Sequence, residues 1–348
     1  MNNTSPDRPK PSPPPTRAEM FERERKRIEN IQAVDLSAIR SPAYLQNRGL
    51  TSLLRSPLIE SFPESTPSVT VCAVSKERDG DDSSSEDACA ISQDGTRLVI
   101  SDGVSQSSLP RPWAAMLVQK WVENPIFSSD PSQWQDWLDD PREAWKIWVA
   151  EEWIKHINEY RAKKGEPPRD KRSIEPAIKE VIAEGASATF LGVELDRQQQ
   201  TVRALAIGDS CMFLLHSQSR RYDSFPLRDP SEFGNLPHQI GSSGGRAGRF
   251  EETLLTYSSG DILVLATDAI SKWLMESLNS DFNSTLGVLE GLNSHNFRRF
   301  VEQAWDKGHI EHDDVTLMMV ILGGANLRHV PPAVMPPLSA RRPPRLVQ

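Results

Sequence analysis

Cysteine is scarce. The three present in 348 residues, Cys72, Cys89 and Cys211, are odd in number and scattered within apolar runs. That pattern excludes a disulfide framework and a cysteine-based zinc site, and it points to reduced core thiols in a cytoplasmic protein. Long hydrophobic runs are missing as well. No stretch approaches the ~20 apolar residues that span a bilayer, and residues 1–32 hold no apolar core of a secretory leader. Aromatic residues make up 7% of the chain, and no basic stripe alternates with them. With a formal net charge of −8, the chain is not a general nucleic-acid binder. An excess of acid suits a protein that holds cations.

Proline and charge are plentiful at the two ends. Residues 1–16 are proline-rich with almost no apolar side chains, too few to form a core. Thr16-Arg17-Ala18-Glu19 has the form of a capping box ahead of a charged helix reaching about Val34, with sparse apolar positions. Residues 35–66 are rich in Ser and Pro and read as a linker in which Leu50, Leu53 and Leu54 pack locally. An N-terminal segment over 1–66 is therefore expected to be largely disordered apart from that helix. A globular unit should span 67–324. Residues 325–348 are rich in proline and arginine and contain no acids, so they read as a disordered tail. Either tail could dock a protein partner; a monomer is expected.

Within the globular unit the pattern is of strands, then helices, then strands and helices again. Ser68–Val74 alternates as a half-buried strand does. Asp87–Ser92 and Arg97–Ser101 flank Gln93-Asp94-Gly95-Thr96, a hairpin signal. Pro110–Glu123 reads as a helix with Trp113, Met116, Leu117 and Trp121 on one face. A tryptophan-rich helical elaboration at about 130–184 follows, with Asp140-Pro141-Arg142-Glu143 read as the capped start of its second helix. Its Trp stripe reads as helix-on-sheet packing before it reads as a ligand platform. Four more short strands, over 187–195, 201–207, 211–216 and 220–225, are followed by a loop over 226–248 and strands over 250–257 and 262–267. Helices over 270–305 and a last apolar strand, Val315–Leu322, complete the unit.

The acids at the strand ends carry the chemistry. Leu98-Val99-Ile100-Ser101 is an apolar strand that delivers Asp102 to a glycine turn. Alone, Asp102-Gly103 reads as a turn in which glycine supplies a positive φ. The hairpin, however, sets the Glu86-Asp87 end of one strand beside Asp102. Asp268 closes another apolar strand and Asp313 opens the last one. Asp209, in the turn Gly208-Asp209-Ser210, reads alone as a turn former. Several carboxylates at one sheet end repel one another unless cations lie between them. An all-oxygen donor set suits Mg²⁺ or Mn²⁺.

Six short motifs stand in order: Glu86-Asp87, Ser101-Asp102-Gly103-Val104, Gly185-Ala186-Ser187-Ala188-Thr189, Ile207-Gly208-Asp209-Ser210, Ala266-Thr267-Asp268 and Asp313-Asp314-Val315-Thr316. Over about residues 67–323 this series resembles the type 2C, metal-dependent protein phosphatases. The resemblance implies an α+β fold, a four-layer α-β-β-α sandwich of two antiparallel sheets flanked by helices. It also implies two Mg²⁺ or Mn²⁺ ions that activate water to hydrolyse phosphoserine and phosphothreonine in protein substrates. Asp102 would bridge the ions, with Asp268 and Asp313 on one and Glu86 and the Gly103 carbonyl on the other. Asp209 would serve a weaker third ion. Asp87, beside Glu86, is a candidate to orient water, and His312, adjacent to Asp313, reads either as a proton donor or as a surface histidine beside the site.

Departures from the family pattern sit beside these matches. Where members often have a phosphate-binding arginine, four residues before Glu86, this chain has Asp82, with Arg78 in the same loop. The glycine after the penultimate strand is Ala269, and Lys272 stands where the third-ion site often has an aspartate. Lys272 should weaken a third ion. Two functions therefore remain: an active metal-dependent phosphatase, or a catalytically impaired binding or regulatory module on the same fold.

Overall fold

A computed structural model describes residues 17–54, 69–77, 85–128, 130–234, 238–244 and 249–323. The proline-rich ends, the loop holding Arg78 and Asp82, and residues 324–348 lie outside them, as do the docking roles expected of the tails.

The N-terminal part forms helix α1 (Arg17–Ala33), a short 3-10 turn, α2 (Pro42–Asn47) and a second 3-10 turn over Thr51–Leu54. Arg27 of α1 donates to Glu184 at 3.1 Å and to Glu180. Residues 36–54 differ from the linker expected of them. Leu45 and Leu53 are fully buried among the tryptophans of the helical layer. Two leucines in a Ser/Pro-rich stretch are a weak signal, and only tertiary packing shows their destination.

The strands and helices of the globular unit follow. They are β1 (Val69–Val74), β2 (Ala88–Ile91), β3 (Arg97–Ser101), α3 (Pro110–Glu123), α4 (Pro131–Ile147), α5 (Trp153–Lys163) and α6 (Lys171–Glu184). Next come β4 (Ser187–Ala188), β5 (Phe190–Asp196), β6 (Thr201–Ile207), β7 (Cys211–His216), β8 (Arg221–Phe225), β9 (Ile240–Gly241), β10 (Glu251–Thr256) and β11 (Ile262–Ala266). The unit ends with α7 (Asp268–Ser280), α8 (Phe282–Gly291), α9 (Phe297–Asp306) and β12 (Val315–Ile321).

One antiparallel sheet has the order β1-β12-β11-β7-β8, the other β10-β6-β5-β3-β2. Three apolar layers separate four structural ones. Val71, Leu98, Ile100, Leu191, Met212, Leu263 and Met318 fill the space between the sheets. The opposite face of the first sheet packs on α7, α8 and α9 through Phe213, Val264, Ile270, Leu274, Phe297 and Trp305. The opposite face of the second sheet packs on α3 to α6. Because both faces of each sheet are covered, the central strands read as apolar runs rather than strict alternation. The architecture is the expected α-β-β-α sandwich.

The Trp stripe is core. Trp113, Trp121, Trp134 and Trp145 are fully buried, Trp134 stacks on Phe250 with centroids 4.4 Å apart, and Trp113 Nε1 donates to the Ile240 carbonyl at 2.8 Å. The expected helix start at Asp140-Pro141 is not there. Pro141 lies inside α4, and one turn of π-helix over Trp148–Glu152 leads into α5. Asp140 is taken by a tertiary partner instead of a cap: Lys120 Nζ of α3 donates to it at 2.7 Å with both side chains buried. That ion pair and the burial of Pro141 offset the hydrogen bond proline removes. The strand expected over 187–195 is split at Thr189, for a reason that lies at the site.

Candidate metal centre

Strand register brings the acids together. Val74 pairs with Val315, Ala266 with Leu317 and with Cys211, Ala88 with Ser101, and Phe190 with Ile207. The residues flanking those pairs therefore meet at one end of the sandwich: Glu86 and Asp87 before β2, Asp102 after β3, Asp209 between β6 and β7, Asp268 after β11, and Asp313 and Asp314 before β12.

Backbone bonds fix that end. The Thr189 N–H donates to the Asp102 carbonyl at 2.8 Å, and the Ser101 hydroxyl donates to the Thr189 carbonyl at 2.6 Å. The hydroxyls of Thr189 and Ser210 are 2.9 Å apart, which ties the Asp102 turn to the Asp209 turn. Thr189 thus serves the site, and the strand breaks around it. Thr267 N–H donates to the Thr316 carbonyl and Thr316 N–H to the Thr267 hydroxyl, at 3.1 and 3.0 Å. These bonds lock the strand ends that carry Asp268 and Asp313.

Gly103 is required by space. Its φ is not positive, contrary to the turn reading; an added Cβ would stand 2.6 Å from the Glu86 carbonyl oxygen and 3.0 Å from Pro110 Cβ. This close approach presses the Glu86 strand against the Asp102 turn. Ala269 replaces a glycine without strain because it sits in the first turn of α7, where its N–H donates to Asp268 Oδ1 at 2.6 Å.

Asp87 is almost completely buried, and neither carboxylate oxygen has a hydrogen-bond partner among the described residues. Asp209 Oδ1 is orphaned in the same way. Burial pushes the Asp87 carboxyl well above the carboxylate range, and repulsion from Asp314 adds to it. Asp102 moves the same way through burial and the charges of Asp87 and Asp268. Burial raises Asp268 to about 6 and Asp209 to about 7, with Asp313 acting on the first and Asp268 on the second. The cluster thus holds more acid than protein groups compensate.

A lysine supplies part of the compensation, and the sequence did not single it out. Lys76 Nζ donates to Glu86 Oε2 at 3.0 Å, to Asp313 Oδ1 at 3.0 Å and to Ser105 Oγ at 2.6 Å. The Ser105 hydroxyl donates to the same Glu86 oxygen at 2.5 Å. Asp314 is also a brace: its Oδ1 accepts the Lys76 N–H at 2.8 Å and its Oδ2 the Glu86 N–H at 2.7 Å. The sequence signal for Lys76 is only its place beside a strand end, while Asp314 stands in the last of the six motifs without a role of its own there. Two further groups lie at the rim. His312 is exposed, its ring 4.6 Å from that of Trp305, and Lys272 pairs with Glu311 at 3.1 Å.

The donor set fits hard cations. It is all oxygen, it carries surplus negative charge, and the orphaned oxygens of Asp87 face that charge. Among the described residues, however, no three His, Cys, Asp or Glu side chains close on one point, and Glu86 and Asp313 are turned onto Lys76.

Solved structures resembling this one include a serine/threonine phosphatase of Staphylococcus aureus, 12% identical, covering 76% of this chain and 98% of that chain with a TM-score of 0.44. A serine/threonine phosphatase of Mycobacterium tuberculosis is 13% identical, with 74% and 98% covered and a TM-score of 0.44. RsbX in complex with magnesium is 15% identical, with 76% and 98% covered and a TM-score of 0.40. The likeness is one of fold. No family model and no curated protein matches the chain. Likeness at this distance transfers no activity, so function has to be argued from the acids.

Proposed function

We propose that the chain is a Mg²⁺- or Mn²⁺-dependent phosphatase hydrolysing phosphoserine and phosphothreonine in protein substrates. One observation carries the reading: carboxylates from five separate turns are gathered at one sandwich end, Asp87, Asp209 and Asp314 of them buried, with both Asp87 oxygens unpartnered among the described residues. Such a cluster is costly to fold and serves no packing purpose.

In this reading Glu86, the Gly103 carbonyl, Asp102, Asp268 and Asp313 would hold two ions, with Asp102 serving both. Asp209 would hold a third weakly, because the Lys272 ammonium stands on the same helix as Asp268. Bound divalent ions supply Lewis acidity and lower the pKa of water, which suits in-line attack at phosphorus. The protein does the positioning. Asp87 orients water through its two free oxygens, and the strand-end hydrogen bonds of Thr189, Thr267 and Thr316 hold the acids without reorganisation. His312, exposed beside Asp313, is the group available to protonate the leaving alkoxide. Cysteine chemistry is disfavoured, since burial pushes the Cys72 and Cys89 thiols up to about 12.

A second reading, an impaired binding or regulatory module, is favoured by the Lys76 ammonium seated between Glu86 and Asp313. One assay separates the two: turnover of p-nitrophenyl phosphate and of a phosphothreonine peptide with Mn²⁺, with Mg²⁺ and with chelator. Metal-dependent turnover is expected, and Asp102→Asn should lower it about a hundredfold or more, the scale of losing one central electrostatic group. No metal-dependent turnover on either substrate would favour the binding module.

A further inference from the structure

The position of Lys76 has a consequence for loading. Its backbone is anchored, because its N–H is held by Asp314. Its side chain is a flexible four-carbon arm with three donors. All three donors are spent inside the cluster, on Glu86, Asp313 and Ser105, and Asp314 Oδ2 lies 3.7 Å from the same nitrogen. Glu86 Oε2 is further occupied by the Ser105 hydroxyl. Burial works against the charge on Lys76, but Asp314, Glu86 and Asp313 outweigh it and hold the ammonium well above the ordinary lysine range. The acids on this side therefore already have a cation. Among the described residues, Asp87 and Asp102 have no such cation.

We infer that the Lys76 ammonium is the resident cation of the Glu86–Asp313 side of the cluster, and that a divalent ion takes those two carboxylates only by displacing it. The inference rests on the reading of the cluster as a metal centre. Two like charges on the same carboxylate oxygens repel strongly at contact distance, so ion and ammonium compete there. The side chain remains 29% exposed, which leaves it a route to solvent. The cost of moving it falls on the metal affinity of the unmodified chain.

The test compares Mn²⁺ binding by the full chain and by Lys76→Met, using titration calorimetry and the loss of the free Mn²⁺ EPR signal. Lys76→Met should bind Mn²⁺ about tenfold more tightly or better, the scale of removing a like charge in direct contact. It should also melt at lower temperature than the wild type in chelator, and regain more on addition of Mn²⁺. A second measurement needs no variant. Acetylation of Lys76 by an activated ester, read by mass spectrometry on wild-type protein, should be slow in chelator and faster in Mn²⁺. Equal Mn²⁺ affinity of the two proteins, or Lys76 labelling indifferent to Mn²⁺ that binds, overturns the inference and leaves the metal centre standing. If neither protein binds Mn²⁺, both fall.

Discussion

A carboxyl group buried among other carboxyls keeps its proton to higher pH than one in water. Asp268, raised to about 6, and Asp209, raised to about 7, are in that condition. Their unfolded values lie near ~3.9, so between these limits the folded protein binds more protons than the unfolded chain. Their contribution to stability is complete below about pH 4 and is lost as pH rises through 6 and 7. His216 adds to the same trend, since its bonds to Asp223 and Asp261 outweigh burial and raise its pKa. Protein kept in chelator should accordingly lose stability from about pH 4 to about pH 8. Asp209→Asn, which cannot titrate, should lose less, by on the order of 1–3 kcal/mol. Denaturant unfolding across that range measures the difference; equal slopes for the two proteins would contradict the shift assigned to Asp209. The acids themselves were legible in the sequence, because a carboxylate closing an apolar strand is conspicuous. Lys76 was not, because a lysine two residues past a strand reads as ordinary loop. Only the pairing of Val74 with Val315 brings it among the acids.

At the scale of elements, the helical layer has to press closely on the sheet for the strands beneath to keep their register. Gly192 in β5 permits this: an added Cβ would stand 2.4 Å from the Trp121 ring of α3. Gly192→Ala should therefore cost about 1–3 kcal/mol, the usual range for overpacking, read as a lower midpoint in urea. A neutral effect would mean that α3 shifts freely. Strands and most helices were legible because apolar period and turn residues agree there. The break expected at Asp140-Pro141 was misleading, since a local capping signal lost to a buried ion pair with Lys120, and the capping pattern alone gives no sign of Lys120. The 187–195 strand was split by Thr189, whose hydrogen bonds serve the Asp102 turn, a demand that strand propensity does not encode.

For the whole molecule, the two stacked sheets form a rigid frame whose one end carries every acid of the candidate centre, while three apolar layers hold that frame in place. In the proposed function, this end of the sandwich binds divalent ions. Anomalous diffraction at the manganese edge from crystals grown in Mn²⁺ would locate them. The expected result is strong anomalous density among Asp102, Asp268, Asp313 and Glu86, with Lys76 withdrawn from Glu86. A map with no density among those carboxylates, and Lys76 still bonded to Glu86 and Asp313 at saturating Mn²⁺, would contradict it.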